Sequence, residues 1–198
     1  MQTWDAIRSR RNVRAYTDQP VERVDLERIL EAGRRAPSSM NWQPWDFVVV
    51  TDRDQLIDLA KVWQGAKHVA RSAATIALVA AEPEDARHRD WLQYDFGQTT
   101  AYMMLAAADL GIGSGHSAVD DQVHARKVLG FPEGHICVYL IGLGYPADRP
   151  LHPLAKPDRR SFAEVVHWGH WLRRPASAAP KRPRSEWDSF DRATALIR

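Results

Sequence analysis

The chain of 198 residues contains one cysteine, five lysines and no apolar run long enough to cross a bilayer. A lone Cys137 excludes an intramolecular disulfide framework and a cysteine-rich zinc site. It points to a reducing compartment, and a cytoplasmic location is the expectation. Residues 1–11 lack the apolar centre of a secretory signal, and the longest apolar stretches break off well before the ~20 residues that a membrane helix needs. No membrane partner is expected. Nucleophile-elbow and Walker motifs are missing, and no glycine fingerprint follows an early strand, so a Rossmann dinucleotide fold is disfavoured. His167 and His170 are spaced by three but lack a third ligand, and no metal is expected. There is no internal repeat.

What the chain does hold is ordinary in amount: 44% hydrophobic and 26% charged residues, with a net charge of +2. At this length a folded chain buries roughly 70% of the surface it exposes when unfolded, enough for a core without staples. Twenty-two of its 27 basic residues are Arg. The guanidinium fork suits phosphate or carboxylate, though such a bias also arises from composition alone.

Residues 24–35 place Leu26, Ile29, Leu30 and Gly33 at helical spacing, and Pro37 stops the pattern. Residues 45–51 (WDFVVVT) read as a strand, followed by a helix capped by Asp52 and carrying Leu56, Leu59, Ala60 and Trp63. Residues 74–81 (ATIALVAA) read as a buried strand, and 89–110 as a long helix with apolar or small residues on nearly every face, and so central. Gly111 ends it. Residues 112–119 lead to a cap at Asp120 or Asp121 and a helix ending near Gly130, and 135–142 form the last clear strand. A surface loop is expected over 144–160 and a short helix over 162–171. Residues 1–172 then form one domain, and 173–198, rich in Pro and Arg, a C-terminal extension. Its Arg173, Arg174, Lys181, Arg182 and Arg184 lack interleaved aromatics, so no nucleic-acid partner is expected.

Four local groupings carry chemistry. Arg8, Arg10, Arg11 and Arg14, interleaved with Ser9 and Asn12, suit a phosphate through charge-assisted hydrogen bonds, or else form a solvated helix face. Residues 36–45 (APSSMNWQPW) set two hydroxyls and two carboxamides between prolines, beside Trp42 and Trp45, a density that fits a planar heterocycle or a run of turns. Residues 110–116 (LGIGSGH) bring three glycines, open to ligand approach or simply a helix end entering a strand, with His116 read chiefly as a packed residue. Residues 156–160 (KPDRR) form a second basic cluster, either a phosphate clamp or an exposed loop.

Taken together and in order from about Trp4 to Trp168, these segments resemble the nitroreductase family of flavoproteins. Residues 10–16 (RRNVRAY) look like its Arg-Arg-Ser-x-Arg-x-Phe signature. APSSMNWQPW is close to its APSSxNxQPW loop, and the turn at 110–115, the run GLGYP at 142–146, Arg159-Arg160 and Val165-Val166 sit where the family has corresponding features. The resemblance implies an α+β fold, with a central mixed or antiparallel sheet flanked by helices, in a homodimer with FMN sites across the subunit interface. It implies that Arg10, Arg11 and Asn12 hold the phosphate and ribityl end, with Arg14 nearer the pyrimidine edge. Pro37, Ser38, Ser39, Asn41 and Gln43 belong to the cofactor-binding set, the first four coming from the opposite subunit. Gly113 and Ser114 would lie along the ring system, and Arg159 or Arg160 would close on the phosphate. Asn12 stands where the family usually has Ser. Residues 64–68 lack the Asn and Lys that some members place beside the pyrimidine, leaving Gln64 or His68 to substitute. The implied activity is hydride transfer from NAD(P)H through FMN to a nitroaromatic, quinone or similar small-molecule acceptor in ping-pong fashion, with no dedicated catalytic side chain. A flavin-sequestering protein with little turnover is the alternative.

Overall fold

A computed structural model describes residues 1–171. The chain divides into two compact units, Met1–Ala155 and a second that begins at Lys156. The expected extension over 173–198, with its basic residues, lies outside the described residues.

The first unit is built on four antiparallel strands, β1 (Asp46–Val50), β2 (Ala74–Ala81), β3 (Gly113–Ser117) and β4 (His135–Gly144), in the order β1-β2-β4-β3. β2 is central and buried on both faces, which is why it reads as a continuous apolar run instead of alternating. Its Ile76, Leu78 and Ala80 join one core with Leu26, Ile29, Trp45, Leu92, Phe96 and Met103. Ala77 and Val79, pointing the other way, join a second core with Leu56, Leu59, Val69, Ala125 and Leu140. Helices α2 (Arg23–Arg34) and α4 (Ala86–Asp109) therefore cover one face. α3 (Arg53–Leu59), α5 (Gln122–Leu129) and the 3₁₀ turns of 60–71 cover the other. The antiparallel sheet agrees with the α+β expectation and with the rejection of a Rossmann fold.

Several boundaries differ from the sequence reading, each for a local reason. An additional helix, α1 (Thr3–Ser9), takes in Arg8 and ends just before Arg10. α4 begins at Ala86, where Asp85 accepts from the His88 N–H, rather than at Arg89. Asp121, not Asp120, caps α5 through the His124 N–H, and Gly130 ends it with φ +73. β4 continues to Gly144. In the second unit, α6 (Phe162–Val165) opens with a Ser161/Glu164 capping box but stops before Val166, whose backbone is extended, and does not reach Trp171. Among the described residues no helix is long and apolar enough to span a membrane.

Candidate functional site

Only Arg8 of the arginine cluster sits on a helix, in the last turn of α1 and 3.7 Å from Asp5. α1 ends at Ser9, Arg10 closes it by donating its N–H to the Ala6 carbonyl, and the chain then runs as an arm against the sheet. Asn12 forms a parallel bridge with Ser114, and the Val13 N–H donates to the Ser114 carbonyl at 2.9 Å. Farther on, Tyr16 bridges Pro146. The Tyr16 hydroxyl lies 2.8 Å from the Val13 carbonyl and 3.0 Å from that of Gly142, and burial pushes its pKa well up.

The glycines of β3 and β4 explain how the arm can lie so close. A Cβ on Gly115 would stand 2.4 Å from the Val13 carbonyl oxygen, and one on Gly113 would stand 2.7 Å from the Val13 side chain. Gly113 therefore first serves the arm, and the space its side chain would need is taken by Val13. The buried His68 ring fills the remaining slot over Gly115 and Gly142, with Nε2 3.0 Å from the Gly115 carbonyl. Gln64, the other candidate beside it, is exposed.

Electrostatics converge on the same strand. Burial pushes the pKa of His68 down, and the nearby Arg14 charge adds to this, while the Gly115 carbonyl works in the opposite sense. His116 is exposed rather than packed, yet the shielded side of its ring lowers its pKa, helped by Arg14, Arg10 and then His68. Arg11 is committed elsewhere, donating to Asp148 Oδ1 at 2.7 Å and to the Arg149 carbonyl at 2.8 Å, and it holds the Asp148 carboxyl below its usual range. Among the described residues Arg10 and Arg14 form no ion pair with a carboxylate.

Arg10 and His116 line a cavity of about 370 Å³ together with Gly97, Thr100, Ala101 and Met104 of α4 and Tyr139 of β4. The Thr100 hydroxyl is buried there without a hydrogen-bond partner. A cation without a counter-charge and a spare buried hydroxyl are what an anionic, hydrogen-bonding ligand such as FMN requires. The residues present fit that group. A larger surface hollow of about 640 Å³ near α3 carries Asp52, Asp54 and Asp58 and repels an anion.

The loop after α2 forms a separate construction. Residues 39–41 make a 3₁₀ turn, and Met40, Asn41 and Gln43 have φ of 50°, 57° and 54°. Ser38 Oγ accepts from the Gln43 N–H at 2.9 Å. Ser39 is held by Asp95 of α4, both of whose carboxylate oxygens lie 3.0 Å from its amide nitrogen. Pro37, Asn41 and Gln43 are exposed. Among the described residues no hydrogen bond or ion pair joins this loop to Arg10, Arg11, Asn12 or Arg14. Arg159 and Arg160 belong to the second unit, where both are exposed and Arg159 donates to the Asp158 carbonyl. Asp95 and Thr100 escaped the sequence reading. An inward-facing carboxylate within the long apolar helix was the available signal for Asp95. Among the described residues no cluster of His, Cys, Asp and Glu could hold a metal ion.

Residues 7–145 match the nitroreductase family. A protein of Archaeoglobus fulgidus named as an NADH dehydrogenase/NAD(P)H nitroreductase is 33% identical over 171 residues, covering 83% of this chain and 96% of its own. An NADH dehydrogenase of Thermus thermophilus is 30% identical over 199 residues, covering 82% and 94%. Among solved structures, an FMN-dependent nitroreductase of Clostridium difficile superposes with a TM-score of 0.73 at 25% identity, covering 84% of this chain and 98% of its own.

Proposed function

The chain belongs to the nitroreductase family, and from that premise we propose that it is an FMN-dependent NAD(P)H oxidoreductase, working as a cytoplasmic homodimer on nitroaromatic, quinone or similar acceptors. The observation that carries this reading is the pairing of the uncompensated Arg10 with the unpartnered Thr100 hydroxyl in one cavity at β3. FMN, when bound, would supply the hydride chemistry, accepting from the nicotinamide and delivering to the acceptor in two half-reactions.

The chain's own part is to bind, orient and bias. Arg10 anchors the phosphate, with Asn12 and Ser114 fixed beside it by their bridge. Arg14, whose charge is already felt by His68 and His116, provides positive potential toward the pyrimidine edge. Gly113 and Ser114 present strand backbone along the ring, and Pro37, Ser38, Ser39, Asn41 and Gln43 complete the site, the first four from the partner subunit. Arg11 stabilises the arm through Asp148. No side chain is assigned proton transfer.

The test is a visible spectrum of the purified protein before and after anaerobic NADH or NADPH. Bound flavin that bleaches on reductant, with parallel double-reciprocal lines against a quinone, supports the reading. Flavin that binds but is never reduced hands the case to sequestration, and intersecting lines reject the two-half scheme.

A further inference from the structure

The Asp95 carboxylate is fully buried in the middle of α4, and no cation is paired with it among the described residues. Its company is Ser39: the amide nitrogen lies 3.0 Å from each carboxylate oxygen, and the hydroxyl donates to Oδ1 at 3.1 Å. Burying a carboxylate is costly unless it is well hydrogen-bonded, so both oxygens are committed to one residue of one loop.

That loop is strained. Three non-glycine residues within four positions, Met40, Asn41 and Gln43, occupy the left-handed region, which side chains disfavour, Met and Gln more than Asn. Such a backbone persists only where its surroundings over-determine it. Asp95 at one end and the Ser38 to Gln43 hydrogen bond across it supply that constraint. The outcome is an exposed Met40, Asn41 and Trp42 held in one unrelaxed arrangement, with no hydrogen bond to the arm of the same chain among the described residues.

We propose that Asp95 is a positioning residue that acts in trans: by clamping Ser39 it fixes the 38–43 loop in the shape that completes the flavin site of the partner subunit, leaving its own subunit's site unaffected. The inference rests on the FMN reading above. Two subunits then share each site, one through Arg10 and the other through Asp95.

Differently tagged chains, co-expressed and purified through both tags, separate trans action from damage to the fold. In a mixed dimer of an Asp95→Ala chain with an Arg10→Ala chain, one site combines an intact arm with an intact loop. The other combines both lesions. The expected result is one FMN per dimer at wild-type affinity by flavin fluorescence quenching, the second bound at least ~10-fold more weakly. In a dimer of the double variant Arg10→Ala/Asp95→Ala with a wild-type chain, each site carries one lesion, and both are expected to be weakened. The reverse pattern, or equal behaviour of the two dimers, overturns the inference. Should Asp95→Ala fail to fold, Asp95→Asn, which keeps the shape but loses the charge, and Ser39→Ala, which removes one hydrogen bond, replace it under the same two outcomes. A wild-type dimer that takes up no FMN removes the reading itself, whereas wild-type uptake with the reversed pattern removes only the role of Asp95.

Discussion

Arg10 and Arg14 are four residues apart on an extended arm, and this separation gives them different tasks. Arg10 lines the cavity with Thr100, while Arg14 is exposed and acts through its field on His68 and His116. Arg10→Ala is expected to weaken FMN binding by ~2–5 kcal/mol, because the phosphate loses its nearest counter-charge. Arg14→Ala should chiefly lower the flavin's reduction potential and let the His116 pKa rise toward its ordinary 6.5, followed by NMR titration of the imidazole protons. Equal affinity losses with unchanged potential and unchanged His116 titration would contradict the division. His68 adds a pH dependence whose sign follows from linkage. Its pKa in the fold lies below the ordinary 6.5, so around and below that pH the unfolded chain binds more protons than the folded one. The stability it contributes is complete above about pH 6.5 and is lost as pH falls from there toward the folded value, at up to about 1.4 kcal/mol per pH unit. Denaturant titrations from pH 7.5 to 5 should show that decline, and His68→Gln should flatten it. His116, being exposed, contributes less for the same reason that surface charges are screened.

At the scale of elements, the arm depends on missing side chains in β3. Gly115→Ala would push a Cβ to 2.4 Å from the Val13 carbonyl, a backbone atom that cannot swing aside. A loss of ~1–3 kcal/mol of stability is expected, together with weaker FMN uptake, because residues 10–14 must shift. Wild-type melting temperature and affinity in Gly115→Ala would refute that packing. The same glycines show why some elements were legible in the sequence and others were not. α2 announces itself through Leu26, Ile29 and Gly33 on one face, and β2 through eight apolar or small residues in succession with Thr75 among them. α1 is short, with only Ala6 and Ser9 buried, and its periodicity is too brief to register. The 3₁₀ segment Gln64–Arg71 repeats on a three-residue period that a search at 3.6 residues misses, although Ala66, His68 and Val69 are buried. The site was legible as segments, since the arm and the loop each carry a dense local pattern. Their long-range partners were not: Asp95 is 56 residues from Ser39, and Asp148 is 137 from Arg11. Nothing local to Ser39 or Arg11 encodes those pairings.

At the scale of the whole molecule, α4 presents an exposed side of its own. Its 24 residues span roughly 36 Å. Leu92, Phe96, Met103 and Ala107 face the core, yet beyond the first turns, where Arg87 and Asp90 are exposed, the opposite side is not the charged face of a solvated helix. Tyr94 is 68% exposed, Gly97 and Ala101 are open, and α1 adds Trp4 and Ile7, 65% and 46% exposed. Apolar surface gathered on one long helix and its neighbour is what an interface between copies leaves on a single chain. Among the described residues no hydrogen bond or ion pair joins the arm to the loop, and the proposed sharing of one cofactor between the two makes the same demand from the side of function. A homodimer burying on the order of 2,000 Å² is therefore expected. Tyr94→Glu separates the alternatives: so exposed a side chain is nearly neutral for the fold of a monomer, whereas a carboxylate forced into an interface carries a desolvation penalty. Sedimentation equilibrium should find the wild type dimeric at low micromolar concentration, and Tyr94→Glu dissociating at concentrations at least ~10-fold higher. Its circular dichroism should stay unchanged and its FMN content should fall in step with the dimer. A wild-type monomer loaded with FMN, or a Tyr94→Glu monomer that keeps its flavin, would place the complete site within one chain and dissolve the argument for sharing it.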